Sequence, residues 1–156
     1  MNLICKNITP KSLFRKETSM KTLVLFYSFT GKTKAIATKK AAELGADIFE
    51  IKETKKRNIF SAFTSGAFSA IKQKKVDIQS ITTDLNSYEK IIIIMPIWAS
   101  APAPAFNSLL DFLPGNKSIE LICVSGSGKS NKEKVIKKLK GLKINISNYM
   151  DIKANN

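Results

Sequence analysis

Residues 22–37 read TLVLFYSFTGKTKAIA, and the changes of character along this stretch decide the fold. Thr22–Tyr27 is a near-continuous apolar run, as a strand covered on both faces must be. Ser28–Lys32 is a turn, rich in hydroxyls and holding Gly31. From Thr33 to Leu44, the positions Ile36, Ala37, Lys40, Ala41 and Leu44 share one helical face. Gly45 then stands where helix ends favour glycine. A second strand, Ala46–Ile51 (ADIFEI), follows at once. Strand, turn, helix and strand in this order open a βαβ protein with a parallel sheet.

The pattern continues outward. Residues 54–75 carry a stripe of Ile59, Phe60, Phe63, Ala67 and Ile71 that approximates a helix, interrupted by Gly66. Residues 76–89 read as a loop with a short helical turn. Lys90–Met95 is the third strand, and Pro104–Leu113 is expected to be a helix stopped by Pro114-Gly115. Ile119–Val124 is the fourth strand, Ser130–Leu139 a lysine-rich helix, and Ile144–Met150 a more polar fifth strand suited to a sheet edge. Residues 1–19 are expected to be an upstream extension preceding Met20, with 20–156 forming one domain.

Composition narrows the chemistry. The 156 residues are 44% hydrophobic and 24% charged, enough for a sizeable core. There is no histidine, which removes Ser-His-Asp and Cys-His catalysis and every His-ligated metal site. Two cysteines, Cys5 and Cys123, allow neither a disulfide framework nor a four-cysteine metal site, and the chain reads as cytoplasmic. No apolar run reaches the ~20 residues that span a bilayer. The 26 Lys and Arg against 12 Asp and Glu leave +14, of which residues 1–19 supply +3.

Three loops are candidate binding elements. Ser28, Phe29, Thr30, Gly31, Lys32 and Thr33 lie before a helix N-terminus, whose backbone N–H groups and dipole can hold a phosphate. The plainer alternative is a turn with Thr30 or Thr33 as helix cap. Pro96, Ile97, Trp98, Ala99 and Ser100 follow the third strand and carry the only tryptophan. Its indole could stack on an aromatic ligand or simply cap the core. Ser125, Gly126, Ser127 and Gly128 follow the fourth strand, and either let a flat ligand lie against backbone or form a flexible turn. Two near-matches to the nucleotide P-loop fail, because Phe26 and Cys123 stand where its first glycine is required. If strands one, three and four are neighbours, the three loops line one edge of the sheet.

These residues carry a family resemblance. TLVLFYSFTGKTKAIA is similar to the first strand, phosphate loop and first helix of flavodoxins, with Ser28, Thr30, Gly31 and Thr33 fitting the pattern T/S-x-T-G-x-T in order. YEKIIIIMPIWASAPAPAFNSLL resembles the third strand and flavin-facing aromatic loop, with Trp98 in the stacking place, and LICVSGSG resembles the fourth strand and second flavin loop. The resemblance spans residues 20–150. It implies a doubly wound, five-stranded parallel sheet of order 2-1-3-4-5 that binds FMN, with loops 28–33, 96–100 and 125–128 as its site.

The expected function is FMN-dependent redox chemistry. Electrons would pass to a partner protein or to a small acceptor such as a quinone, with NAD(P)H a candidate donor. The alternatives are a basic-surface module binding nucleic acid or anionic membrane, or a cofactor-less interaction protein of the same fold. Only Arg15 and Arg57 are arginines, which argues against base-edge readout of nucleic acid. Only six residues follow the fifth strand, so the sheet face near strands one and three is expected to be covered by a second copy, as a homodimer, or by residues 1–19.

Overall fold

The computed structural model of the protein describes residues 20–55, 58, 64–65, 69–70, 72 and 74–154. The extension 1–19 and the stripe from Ile59 to Ile71 lie outside the described residues. In chain order the elements are β1 (Thr22–Tyr27), α1 (Lys32–Leu44), β2 (Asp47–Ile51), β3 (Lys90–Trp98), β4 (Ala101–Pro102), α2 (Pro104–Leu109), β5 (Ser118–Ser125), α3 (Lys132–Gly141) and β6 (Asn145–Lys153). Five strands are parallel and ordered β2-β1-β3-β5-β6. This is the expected 2-1-3-4-5 order, with β4 added as a two-residue antiparallel partner of β3.

Alternation along the strands sends side chains to two separate cores. Leu23 and Leu25 of β1, Ile91, Ile93 and Met95 of β3, and Leu121 of β5 meet Phe106 and Leu109 of α2 and Val135 and Leu139 of α3 on one face. Val24 and Phe26, Ile92 and Ile94, and Ile122 and Val124 meet Ala37 and Ala41 of α1 on the other. The small residues at positions 37 and 41 let α1 approach the sheet closely. The sheet is therefore doubly wound.

Element ends follow local chemistry. Gly45 adopts φ 58°, and the amide of Ala46 closes the α1 terminus on Ala41 O at 2.9 Å. The helix expected over Pro104–Leu113 is shorter: α2 ends at Leu109 and tightens into a 3-10 turn, Leu110–Phe112. Leu113 is extended at ψ 130° because Pro114 excludes the helical conformation from the residue before it. The helix expected from Ser130 begins instead at Lys132. Asn131 is its cap, accepting the Lys134 amide on its side-chain oxygen at 3.1 Å. The 3-10 turn Leu85–Ser87 matches the turn expected between residues 76 and 89.

The fifth parallel strand, β6, is an edge strand as expected, but it runs to Lys153, beyond the Met150 read from the sequence. The thinly covered sheet face is also displaced from its expected place. Among the described residues, α1 sits over β1 and β3 and Ile122 and Val124 of β5 are buried on the same face, so the open part lies along β6, where Met150 is 40% exposed.

Beneath the top of β5, Cys123 Sγ donates to Tyr149 Oη at 3.2 Å, and Tyr149 Oη lies 2.6 Å from Ser130 Oγ. Burial, reinforced by the charge of Asp151, pushes the Cys123 thiol up to about 12. It should therefore react negligibly with a thiol-directed reagent at pH 8 in the folded protein and rapidly once unfolded. Equal rates in the two states would contradict the burial. The main core makes a second prediction: Ile93→Ala, at a fully buried position, should cost about 2–5 kcal/mol in denaturant unfolding. Ile48→Ala, at a residue 43% exposed, should cost less than about 1 kcal/mol.

Candidate functional site

The ends of β1, β3 and β5 lie side by side, so the three candidate loops emerge together. At the first loop, Gly31 is the cap residue of α1, with φ 88° and no side-chain capping bond. Only glycine takes that conformation freely. Neither Thr30 nor Thr33 caps the helix. Ser28 serves from outside it, its Oγ accepting the Lys34 amide at 3.1 Å. The Ser28 hydroxyl proton remains a donor. Thr30, Gly31 and Lys32 are exposed, whereas Thr33 is buried under the helix at 3% exposure. The first-turn N–H groups of α1 point out of the helix end with its positive dipole.

The second element differs from expectation. Residues 96–98 continue β3, with Pro96 paired to Val124 of β5. Ile97 and Trp98 then pair with Pro102 and Ala101 of β4 across a two-residue turn. Ala99 and Ser100 make that turn at φ 48° and 66°. Both central residues lie at positive φ, as a tight hairpin matched to strand twist requires, and both are exposed. The presumed loop is thus a rigid hairpin that holds Trp98. The indole is half-buried against the main core. It meets Tyr27 edge-on at 6.1 Å between centroids and Phe29 edge-on at 5.8 Å.

The third loop is a hydrogen-bonded turn rather than a slack one. Gly128 N donates to Ser125 O at 3.3 Å, Lys129 N to Ser125 Oγ at 3.1 Å, and Ala154 N to Ser125 O at 2.8 Å. Ser125 and Ser127 hydroxyls lie 3.3 Å apart. Gly128 has φ 71°, and a Cβ there would approach the Lys153 side chain at 3.2 Å, so any side chain is disfavoured. Gly126 and Ser127 remain exposed.

The loops are also tied to one another. Phe29 against Trp98 joins the first to the second, and Asn131 N donating to Ser100 O at 2.8 Å joins the second to the segment after the third. Sequence reasoning did not find the supporting residues Tyr27, Asn131 and Tyr149. Asn131 was legible as a cap two residues before Glu133 of a helical first turn; the other two act only through tertiary contacts. A cavity of about 400 Å³ beside the first loop, between the ends of β1 and β2, was likewise unforeseen. Tyr27, Ser28 and Phe29 line one wall and Glu50, Glu53 and Lys55 the other, with Tyr27 Oη donating to Glu53 Oε1 at 3.0 Å.

Comparison with known proteins agrees with this architecture. A flavoprotein from Lactobacillus acidophilus NCFM, solved in complex with FMN, shares 27% identity over 83% of this chain and 91% of its own, with TM-score 0.70. The apo form of the Lactobacillus acidophilus NCFM flavoprotein, solved by NMR, shares 27% identity over 85% of this chain and 93% of its own, with TM-score 0.65. A candidate flavoprotein from Bacteroides eggerthii DSM 20697 has the same fold at 21% identity, covering 84% of this chain and 87% of its own, with TM-score 0.73. No curated protein matches the sequence. The model of the flavodoxin family matches residues 21–156, from the residue before β1 through the whole sheet, and the chain belongs to that family.

Proposed function

We propose that this protein binds FMN across the C-terminal ends of β1, β3 and β5 and uses it for redox chemistry. The observation that carries the reading is the tying of three loops into one surface through Phe29–Trp98 and Asn131–Ser100. The FMN complex of the Lactobacillus acidophilus flavoprotein supports it. When bound, the flavin supplies electron and hydride transfer, for which this chain has no side-chain substitute.

The residues present fit such a group. Ser28, Thr30 and the first-turn amides of α1 form a donor set for a phosphate, and Lys32 adds a positive charge. Gly31 at φ 88° lets the backbone face the anion without a Cβ in the way. Thr33, the second residue of α1, completes the first loop at 3% exposure. Pro96–Ser100 offers Trp98, fixed by two edge-on rings, as an aromatic wall. Ser125–Gly128 offers backbone polar groups and two hydroxyls to the polar edge of a flat ring system. The acceptor is a redox partner protein or a small molecule of quinone type, with NAD(P)H as donor.

FMN titration followed by flavin fluorescence tests the site. Thr30→Ala removes one hydrogen bond to a charged group and should weaken FMN by about 1.5–3 kcal/mol, roughly ten- to a hundredfold. A double variant Thr30→Ala with Trp98→Ala that binds FMN as tightly as the parent would refute the assignment.

The cofactor's potential supplies a second test. Lys129 is exposed at the third loop, and reduction adds negative charge to a flavin. Lys129→Glu should therefore lower the potential of the bound flavin, on the order of tens of millivolts at low salt and less at high salt. A potential that rises or stays fixed would place Lys129 away from the flavin.

A further inference from the structure

Parallel sheets bury both faces under helices. Among the described residues, α1 alone packs on the Val24–Phe26–Ile92–Ile94 face. Beside it a groove of about 480 Å³ runs between α1 and the edge strand β6. Ala35 and Ile36 form its α1 wall and Ile122, Met150 and Ile152 its floor, with Met150 40% exposed. Four lysines rim it: Lys32, Lys39 and Lys40 along α1, and Lys153 at the end of β6. Glu43, at the C-terminal end of α1, is the one carboxylate among the lining residues. Apolar floor and cationic rim run along the same helix, because residues 32, 35, 36, 39, 40 and 43 recur at helical spacing.

We propose that this groove docks an acidic amphipathic helix of a partner protein, lying beside α1. Its apolar stripe, at spacing i, i+3, i+4 and i+7, would rest on Ile36, Met150 and Ile152, and its flanking Asp and Glu would meet the lysine rim. A helix is the occupant the fold calls for, since an adjacent helix packs ~8–10 Å from α1 on the same sheet. Charge selects its sign. A second copy brings another +14, and residues 1–19 carry +3, so each would add positive charge to a rim already cationic. The lysine stems extend the apolar floor while their ammonium groups stay in water. The proposal is independent of the flavin.

The test uses the full chain with methyl-labelled Ile and Met. The probe is a synthetic capped peptide of about 18 residues, long enough for helix formation, with Leu at i, i+3, i+4 and i+7 and Glu on the flanks. Its counterpart carries Lys in place of every Glu. The expected result is saturable shifts at Ile36, Ile122, Met150 and Ile152 with the Glu peptide only. Affinity by calorimetry should weaken roughly tenfold or more in Lys39→Glu/Lys40→Glu, and similarly between low salt and 0.5 M, about the range over which exposed charges are screened. FMN titration should be unchanged in that variant, which separates this site from the flavin reading. Equal binding of the two peptides, or no shift at the floor methyls, overturns the proposal. So does a dimer on light scattering that Met150→Asp dissociates, a shift of the floor methyls on deleting residues 1–19, or displacement of the Glu peptide by phosphatidylglycerol vesicles.

Discussion

The hydrogen bonding of β1 beside β3, with Thr22 opposite Lys90 and Phe26 opposite Ile94, is the constraint on which the remaining structure depends. From β1 the chain steps outward to β2 by way of α1 on one face. From β3 it steps the other way, to β5 and β6, by way of α2 and α3 on the opposite face. The connections leaving β1 and β3 therefore diverge, and a crevice opens above their C-terminal ends, where ligands of open parallel sheets lie. Four consecutive buried pairs, from Leu23–Ile91 to Phe26–Ile94, fix this register, so a slip of one residue would turn Leu23, Leu25 and their partners out of the main core. The position of Phe29 against Trp98 is a consequence of that packing rather than of the loops themselves.

The sequence displayed the strands because burial on both faces demands uninterrupted apolar runs, as in Ile91–Met95. It displayed α1 because Ala37 and Ala41 repeat at one turn of helix and Gly45 ends them. It was less informative where a neighbour supplies the deciding contact. Nothing in Pro96-Ile-Trp announces that β3 continues, since the continuation depends on β4 folding back against Ile97 and Trp98. Ala99 and Ser100 are not residues that favour positive φ, so the hairpin turn was invisible to turn chemistry. Ser130 looked like a helix start, but its hydroxyl is taken by Tyr149 and the capping falls to Asn131. Around the candidate site, residue types were legible while the bonds that join the loops were not. Those bonds link residues 69 and 31 positions apart in sequence, Phe29 to Trp98 and Ser100 to Asn131.

The distribution of charge bears on how such a surface can select its ligands. Two pairs, Lys34 with Glu50 at 3.8 Å and Lys52 with Glu50 at 4.0 Å, share one carboxylate beside the first loop. Exposed pairs at such distances contribute little to stability. Their effect is on the local potential, which the N-terminal end of α1 makes more positive. In contrast, Lys90 and Glu120 pair at 2.8 Å with the glutamate side chain only 8% exposed, at the far end of the sheet from the candidate site. That pair is a structural contact: removing Lys90, itself 36% exposed, leaves the buried Glu120 carboxylate uncompensated.

The chemistry left to the chain's own side chains is narrow. It has no histidine, and Cys123, the cysteine among the described residues, is buried with its thiol held near 12. Tyr149 beside it is pushed up as well, chiefly by burial, so neither group exchanges protons near neutrality. The polar atoms facing the crevice are instead backbone amides, serine and threonine hydroxyls and lysine ammonium groups, which bind and orient but do not readily form covalent intermediates. Positive φ at Gly31, Ala99, Ser100 and Gly128 shows where backbone conformation has been committed to shaping that surface. A fold that ties these loops together while offering no activated nucleophile among the described residues is suited to holding a molecule that brings its own reactivity.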